Sequence, residues 1–305
     1  MERYEFFQLD VFTDKPLSGN PLAVFHDGRG LDDSVMQALA REMNLSETVF
    51  VTKSDKADRR VRFFTPTSEI PLAGHPTVGT WWLLAEREML DLPKGQVSRV
   101  TQETGAGVLP VDIHMGENGP IEVFMTQTLP NFGKKLADRE ALCRALGGSE
   151  DLIPSDLPLQ VVATALPQLM VPTTSLGALE GLPTGGRGGE LSDLLASLGT
   201  HCAMCYSLET VAADATVHCR MFAPGLGVPE DPATGSAAGA LGCYLVRYGI
   251  TPPHDGKVQI IVEQGIEIGR PSRIKVEVSV DDDGEISEVR VGGTAVTVIQ
   301  GEVTL

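Results

Sequence analysis

Glu47, His75 and Asp231 are the residues of this chain whose types and settings suit acid–base chemistry. Glu47 falls among Leu45, Val49 and Phe50, apolar neighbours of the kind that lift a carboxyl pKa toward working pH. One such carboxyl can take a proton from a carbon and return it to another; a glutamate at a strand end can equally face solvent. His75 lies in Ala73-Gly74-His75-Pro76-Thr77, where a helix is predicted to begin with Pro76 at its first position. N–H dipoles at a helix start favour a neutral imidazole, which can bind substrate, assist proton transfer or merely cap the helix. Asp231 opens Asp231-Pro232-Ala233-Thr234-Gly235-Ser236, a second predicted helix start. An Asp before Pro is by default a turn residue, and Ser236 can cap its helix, bind a carboxylate, or both. Gly74 and Gly235 would let backbone amides approach a ligand closely. Unpaired N–H groups and the positive end of the macrodipole attract anions, so two such starts suggest one anion site between two related lobes.

The elements that must position these residues occur twice. Arg62-Phe63-Phe64-Thr65-Pro66 precedes the first helix start, and Arg220-Met221-Phe222-Ala223-Pro224 precedes the second. Gln102-Glu103-Thr104-Gly105 and Gln264-Gly265-Ile266-Glu267 follow the two helices, then alternating segments broken by Asn118-Gly119 and Asp283-Gly284. Asn-Gly and Asp-Gly between alternating segments are hairpin signals. Three echoes in one order, offset by about 158 to 165 residues, imply an internal duplication. Tyr4 to Phe12 and Leu22 to Phe25 read as strands flanking a turn at Gly19-Asn20-Pro21. A helix capped by Asp32 or Asp33 presents Val35, Met36, Leu39 and Met43, and strands return at Thr48 to Thr52 and Val61 to Phe64. The helix after His75 carries Val78, Trp81, Trp82 and Leu84, apolar nearly all round, and its counterpart from Ser236 to Tyr244 is small and apolar. A buried helix in each lobe, with strands wrapped about it, is the simplest architecture. Gln127 to Phe132 reads as the crossover between lobes.

The 305 residues suffice for two lobes with cores of their own. A formal charge of −17 disfavours nucleic acid and anionic membranes as partners and otherwise serves solubility. No long apolar run predicts a membrane span, and Met-Glu-Arg-Tyr-Glu does not read as a signal peptide, so the expected location is cytoplasmic. Five cysteines form no disulfide framework and fit reduced thiols. Cys202-Ala203-Met204-Cys205, with His201, His218 and Cys219 nearby, has zinc-like spacing, but both segments read as strands, and packed, metal-free cysteines are expected. Thr184-Gly185-Gly186-Arg187-Gly188-Gly189 lacks both the Walker ending and dinucleotide spacing, so it is expected to be a connection before a helix at about 190 to 198.

Gly19-Asn20-Pro21-Leu22-Ala23-Val24-Phe25, Asn44-Leu45-Ser46-Glu47-Thr48, Ala73-Gly74-His75-Pro76-Thr77, Asp231-Pro232-Ala233-Thr234-Gly235-Ser236-Ala237 and Gly269-Arg270-Pro271-Ser272 occur in that order. Together they resemble the PhzF family, phenazine biosynthesis-like isomerases related to diaminopimelate epimerase and proline racemase. The resemblance covers nearly the whole chain. It implies an α+β fold of two pseudo-symmetric lobes, each a mixed, barrel-like curled sheet around a central helix, with the site in the cleft between them. The expected lobes are 1–126, completed by a strand at about 294–305, and 127–293. The resemblance also implies no metal or organic cofactor, and a homodimer. On it, Glu47 is the catalytic base, and His75 and Asp231 line the site. Gly74, Gly235, Ser236 and, more weakly, Asn20 contact a small carboxylate substrate.

The two cysteines of the related epimerases would fall at Ala73 and Thr234, where no thiol stands. A one-base proton shift therefore fits better than inversion by two opposed thiols. The expected activity is a cofactor-independent isomerisation resembling that of trans-2,3-dihydro-3-hydroxyanthranilate isomerase. The alternatives are a cysteine-free epimerase pairing Glu47 with Asp231 or His75, and a non-catalytic ligand-binding protein of the same fold.

Overall fold

A computed structural model describes residues 2–305. The chain divides into two compact units, residues 1–126 with 292–305, and residues 127–291.

The first unit contains β1 (Arg3–Val11), β2 (Asn20–Phe25), α1 (Asp33–Met43), β3 (Thr48–Thr52), β4 (Arg59–Phe64), β5 (Glu69–Ile70), α2 (Gly74–Glu86), β6 (Val97–Thr104), β7 (Gly107–Met115) and β8 (Pro120–Thr126). The chain's last strand, Ala295–Thr304, returns to pair antiparallel with β1. Going across the sheet, β1 and β2 are antiparallel, β2 and β3 parallel, β3 and β4 antiparallel, β4 and β6 parallel, and β6 and β7 antiparallel. The parallel pairs need crossovers, and α1 and α2 supply them. Helix α2 touches β1, β2, β3, β7, β8 and the last strand, so the curled sheet encloses it. Its composition suits that place, because residues from His75 to Ala85 other than Trp82 are buried. Trp81 is sealed from solvent, and its indole N–H donates to Gln102 Oε1 at 2.9 Å. Helix α1 covers the outer face, packing Met36, Leu39 and Ala40 on Tyr4, Phe25, Phe50 and Phe64.

The second unit contains β9 (Asn131–Leu136), α3 (Arg139–Leu146), β10 (Leu159–Ala163), β11 (Pro167–Pro172), α4 (Leu176–Glu180), α5 (Gly189–Leu198), β12 (Ala203–Ser207), β13 (Val217–Ala223), β14 (Val228–Asp231), α6 (Gly235–Arg247), β15 (Lys257–Gln264), β16 (Ser272–Val280) and β17 (Ile286–Gly293). Its sheet repeats the alternation of the first: β10/β11 antiparallel, β11/β12 parallel, β12/β13 antiparallel, β13/β15 parallel, β15/β16 antiparallel. Helix α6 touches β10, β11, β15 and β16, as α2 touches its own strands. On the opposite face, α3, α4 and α5 bury Leu142, Leu146, Leu179, Leu191 and Leu195 against Leu169, Val171, Cys205 and Phe222.

Several local expectations need correction. Asn20 and Pro21 do not form a turn; they are the first residues of β2, opposite Val11 and Asp10. The bend lies one residue earlier, at Gly19, with φ of +63°. A Cβ there would sit 2.3 Å from the Val11 carbonyl oxygen, so the position admits only glycine. β1 ends at Val11, and Phe12 takes a left-handed conformation, φ 65°. Asp32 rather than Asp33 caps α1, accepting from the Val35 N–H at 2.9 Å. Pro76 is the third residue of α2, not the first, and its missing N–H costs nothing there because first-turn N–H groups have no intrahelical acceptor. Asn131 and Phe132 belong to β9 rather than to a connection. The glycine-rich segment at 184–188 connects α4 to α5, as expected.

Candidate active site

Three pieces of chain meet around Glu47 in the first unit. Glu47 immediately precedes β3, and the parallel pairing of Ala23 with Thr48 sets that end of β3 beside β2. Glu47 Oε2 lies 3.5 Å from His75 Nε2. His75 is the second residue of α2, and its ring also hydrogen-bonds the backbone of Pro21. A proline backbone offers only its carbonyl, so the imidazole is the donor. Since Nε2 makes no hydrogen bond, that donor is Nδ1. Asn20 joins the group through Ser46, whose hydroxyl lies 3.4 Å from Asn20 Oδ1. The structure thus brings Asn20, Glu47, Gly74 and His75 together.

The electrostatics of this half follow from burial. The His75 side chain is 7% exposed and that of Glu47 is 19% exposed, so the glutamate is the more accessible of the two, with the Oε2 that faces the histidine itself buried. Glu47 is accordingly not the solvent-facing strand-end residue of the alternative reading. Loss of hydration pushes the His75 imidazole down to about 3, against a smaller upward push from the Pro21 hydrogen bond. The ring is neutral at physiological pH, protonated on Nδ1, which leaves the lone pair on Nε2, the nitrogen 3.5 Å from Glu47. That lone pair can accept a hydrogen bond from the protonated carboxyl without taking its proton. His75 does not cap the helix, because the cap residue is Ala73, which has no side-chain acceptor. Helices α1, α3 and α4 are all capped by Asp or Ser side chains, whereas α2 leaves its first N–H groups to another partner.

The second unit offers a related helix start with different chemistry. Asp231 is the last residue of β14, opposite Met221, rather than part of a loop. Thr234 caps α6 only by position: its hydroxyl donates to Asp231 Oδ2 instead of accepting from the helix. Gln264 ties this corner, donating from Nε2 to the Asp231 carbonyl at 2.7 Å and to Thr234 Oγ1 at 3.1 Å. Its Oε1 accepts from the Thr234 N–H at 3.3 Å. From the other side, Gln127 Nε2 donates to the Gly235 carbonyl at 3.1 Å while its Oε1 accepts from the Thr164 hydroxyl at 2.6 Å. Ser236 is the second residue of α6 and makes no capping bond, so the capping role considered for it is not observed. Asp231, Thr234, Gly235 and Ser236 are therefore gathered at one uncapped helix start.

Residues that the motif reading passed over do much of this positioning. Pro21 supplies the carbonyl that fixes the His75 tautomer, and Gln264 orients Asp231 through Thr234. Gln102 is the counterpart of Gln264, with Nε2 at 3.4 Å from Thr77 Oγ1 in the first turn of α2. A repeated Gln after each helix was the available signal.

The cysteines show why zinc-like spacing is not enough. Cys202 and Cys205 are three apart along an extended segment, and side chains alternate faces there, so the two thiols point to opposite sides. Cys205 packs in the apolar cluster with Phe222, and burial pushes both thiols up to about 12.

Comparison with known proteins bears on the fold and the family. A crystal structure of a Bacillus anthracis phenazine biosynthesis protein of the PhzF family superposes with a TM-score of 0.91, at 35% identity over all of both chains. A hydroxyproline epimerase from Agrobacterium vitis shares the fold alone, with a TM-score of 0.63 at 12% identity, over 99% of this chain and 92% of that one. The fold class is therefore the mixed α+β class of diaminopimelate epimerase-like proteins. An uncharacterized isomerase from Clostridium acetobutylicum is 36% identical over 100% of this chain and 99% of its own. The trans-2,3-dihydro-3-hydroxyanthranilate isomerase of Pseudomonas chlororaphis is 34% identical over 99% and 100%. The sequence profile described as phenazine biosynthesis-like protein, PhzC-PhzF, matches residues 9–301. The chain belongs to that family and is an isomerase.

Proposed function

We propose that the chain catalyses a cofactor-independent proton shift, a double-bond migration, on a small carboxylate-bearing metabolite, with Glu47 as the group that carries the proton. The observation that supports this most is the pairing of a partly exposed glutamate with a neutral, tautomer-fixed imidazole at 3.5 Å. Glu47 takes the proton from an activated carbon. His75 Nε2 accepts a hydrogen bond from the protonated carboxyl, which holds the proton until it is returned to a second carbon of the conjugated system. A positioned acid–base group of this kind contributes about 10² to 10⁴ in rate. The uncapped first turn of α2, and that of α6 with Gly235 and Ser236, suit the substrate carboxylate. Asp231 positions the substrate. Ala73 and Thr234, the cap residues of the two helices, carry no thiol, which argues against a cysteine-pair racemisation. The five buried free thiols suit a reducing, cytoplasmic setting.

The test is turnover in D2O with trans-2,3-dihydro-3-hydroxyanthranilate and a panel of cyclic and aromatic carboxylates, followed by NMR. The proposal expects deuterium at a carbon other than the one deprotonated, and loss of turnover in Glu47→Gln. Label confined to one α-carbon would establish epimerisation instead. Undiminished turnover by Glu47→Gln would remove Glu47 from the mechanism.

A further inference from the structure

His218 sits in β13 with no exposed surface, and both ring nitrogens face carboxylates: Nδ1 lies 2.8 Å from Glu263 Oε1 and Nε2 2.7 Å from Glu267 Oε1. An ionised carboxylate only accepts, so two such contacts require a proton on each nitrogen. The two glutamates bracket Gln264-Gly265-Ile266, and Gln264 is the side chain that holds both the Asp231 carbonyl and Thr234. The bracketed turn is itself tight against the Asp231 segment. A Cβ on Gly265, whose φ is +80°, would lie 2.5 Å from the Pro232 carbonyl oxygen and 2.4 Å from that of Arg270. Ser272 closes the far side, its hydroxyl 2.9 Å from the Pro232 oxygen and 3.0 Å from the Gln264 oxygen. Glu263 is also committed, accepting from the backbone N–H groups of Val211 and Ala212.

We propose that His218 is a positioning residue: by bonding Glu263 and Glu267 at once, its imidazolium clamps the Gln264–Ile266 turn and so fixes Asp231 and the first turn of α6. This assignment rests on the functional reading only in placing Asp231 at the substrate. The clamp itself is a property of the fold. It acts while His218 carries its charge and loosens when the ring loses a proton, since one nitrogen then becomes an acceptor opposite a carboxylate. Burial alone would push the imidazole down, but the hydrogen bonds and charges of Glu267 and Glu263 outweigh it and raise the pKa above its usual 6.5. The clamp therefore holds at neutral pH and releases as pH rises. The other charged or titratable groups nearby are the Cys219 and Cys205 thiols, both pushed up by burial, and the Arg220–Glu230 pair. The two thiols and Arg220, all raised, keep their charge in the window where His218 loses its own.

The test is an NMR titration of the wild-type protein from about pH 6 to 10, following the His218 ring and the amides of Thr234, Gly235 and Ser236. The expected result is one shared inflection above pH 6.5, and its disappearance from the three amides in Glu267→Gln, which keeps shape but not charge. Amides that ignore the His218 titration would overturn the proposal, and this needs no variant that might misfold. In the same Glu267→Gln protein, KM for the D2O-assay substrate should rise while kcat changes little, as expected of a group acting through Asp231. A fall in kcat with unchanged KM would also overturn the proposal. If the amides follow His218 but Glu47→Gln keeps full turnover, the clamp stands and the functional reading alone fails.

Discussion

Replacing His75 with Gln tests the neutral imidazole on which the proton-transfer scheme depends, and it needs no substrate. In the folded protein the ring resists protonation down to about pH 3, whereas in the unfolded chain it takes a proton near 6.5. The folded-state pKa is depressed, so the unfolded chain binds the extra proton first. The associated stability is fully present above pH 6.5 and drains away as pH falls toward 3. The slope approaches about 1.4 kcal/mol per pH unit below 6.5, so wild type should lose about 2 to 3 kcal/mol through His75 between about pH 7.5 and 4.5. His218 runs the other way: with a raised pKa, its contribution is complete below 6.5 and cannot imitate the effect. Carboxylates remote from His75 are shared by both proteins and cancel in the difference, and repeating the pair in a Glu47→Gln background removes the one carboxyl that touches the ring. The assay is urea unfolding of wild type and His75→Gln at about pH 7.5, 5.5 and 4.5, with the unfolding free energies compared at each pH. The expected result is a gap between the two proteins that shifts by about 2 to 3 kcal/mol in favour of the variant on acidification. Parallel pH profiles would mean that His75 titrates normally. The fixed tautomer and its lone pair toward Glu47 would then have no basis.

Three further outcomes follow from the geometry. Glu47→Gln should fold normally and lose about 10² to 10⁴ in turnover, checked by circular dichroism beside the D2O assay. Ser236→Ala should weaken substrate binding without changing the urea midpoint, because Ser236 makes no capping bond; a loss of about 1 kcal/mol would show a cap after all. Arg220→Met should cost about 3 to 5 kcal/mol, because it strands Glu230, whose side chain is 1% exposed. Arg220→Met with Glu230→Leu should recover part of that loss but not all, since Arg220 also donates to the Leu182 carbonyl at 2.6 Å.

What the sequence carried and what it did not can be argued residue by residue. The enclosed helices were legible because a helix apolar on all sides has nowhere to go but inside, and α2 and α6 are of that kind. The duplication was legible from motif order, and the matching alternation of strand directions in the two units repeats it at the level of hydrogen bonding. Pro21 was misread as a turn residue because a proline near Gly and Asn usually is one. Opposite Asp10 in β2, however, its carbonyl becomes the acceptor for a histidine more than fifty residues away. Arg62 and Arg220 occupy the same motif, yet Arg62 is 14% exposed between Asp33 and Glu69, whereas Arg220 is 2% exposed on Glu230. Local sequence could not separate them, since burial depends on which helices cover each sheet. The glutamates beside His218 were invisible for the same reason: a parallel strand pairing brings Glu263 alongside it from 45 residues away.

The duplicated scaffold also explains how one chain can hold two different kinds of helix start. In each unit a glutamine from the strand after the central helix reaches back to a threonine near that helix's N-terminus, Gln102 to Thr77 and Gln264 to Thr234. In the first unit the second partner is the Trp81 indole, deep in the core, so the bond anchors the helix and leaves the cap position to Ala73. In the second unit the threonine has moved to the cap position itself, and the glutamine also takes the Asp231 carbonyl. The same brace thus serves packing in one unit and side-chain orientation in the other. A carboxylate steered by such a brace is only as fixed as the turn that carries the glutamine. That turn holds still in the second unit because an imidazolium is bonded on both sides of it.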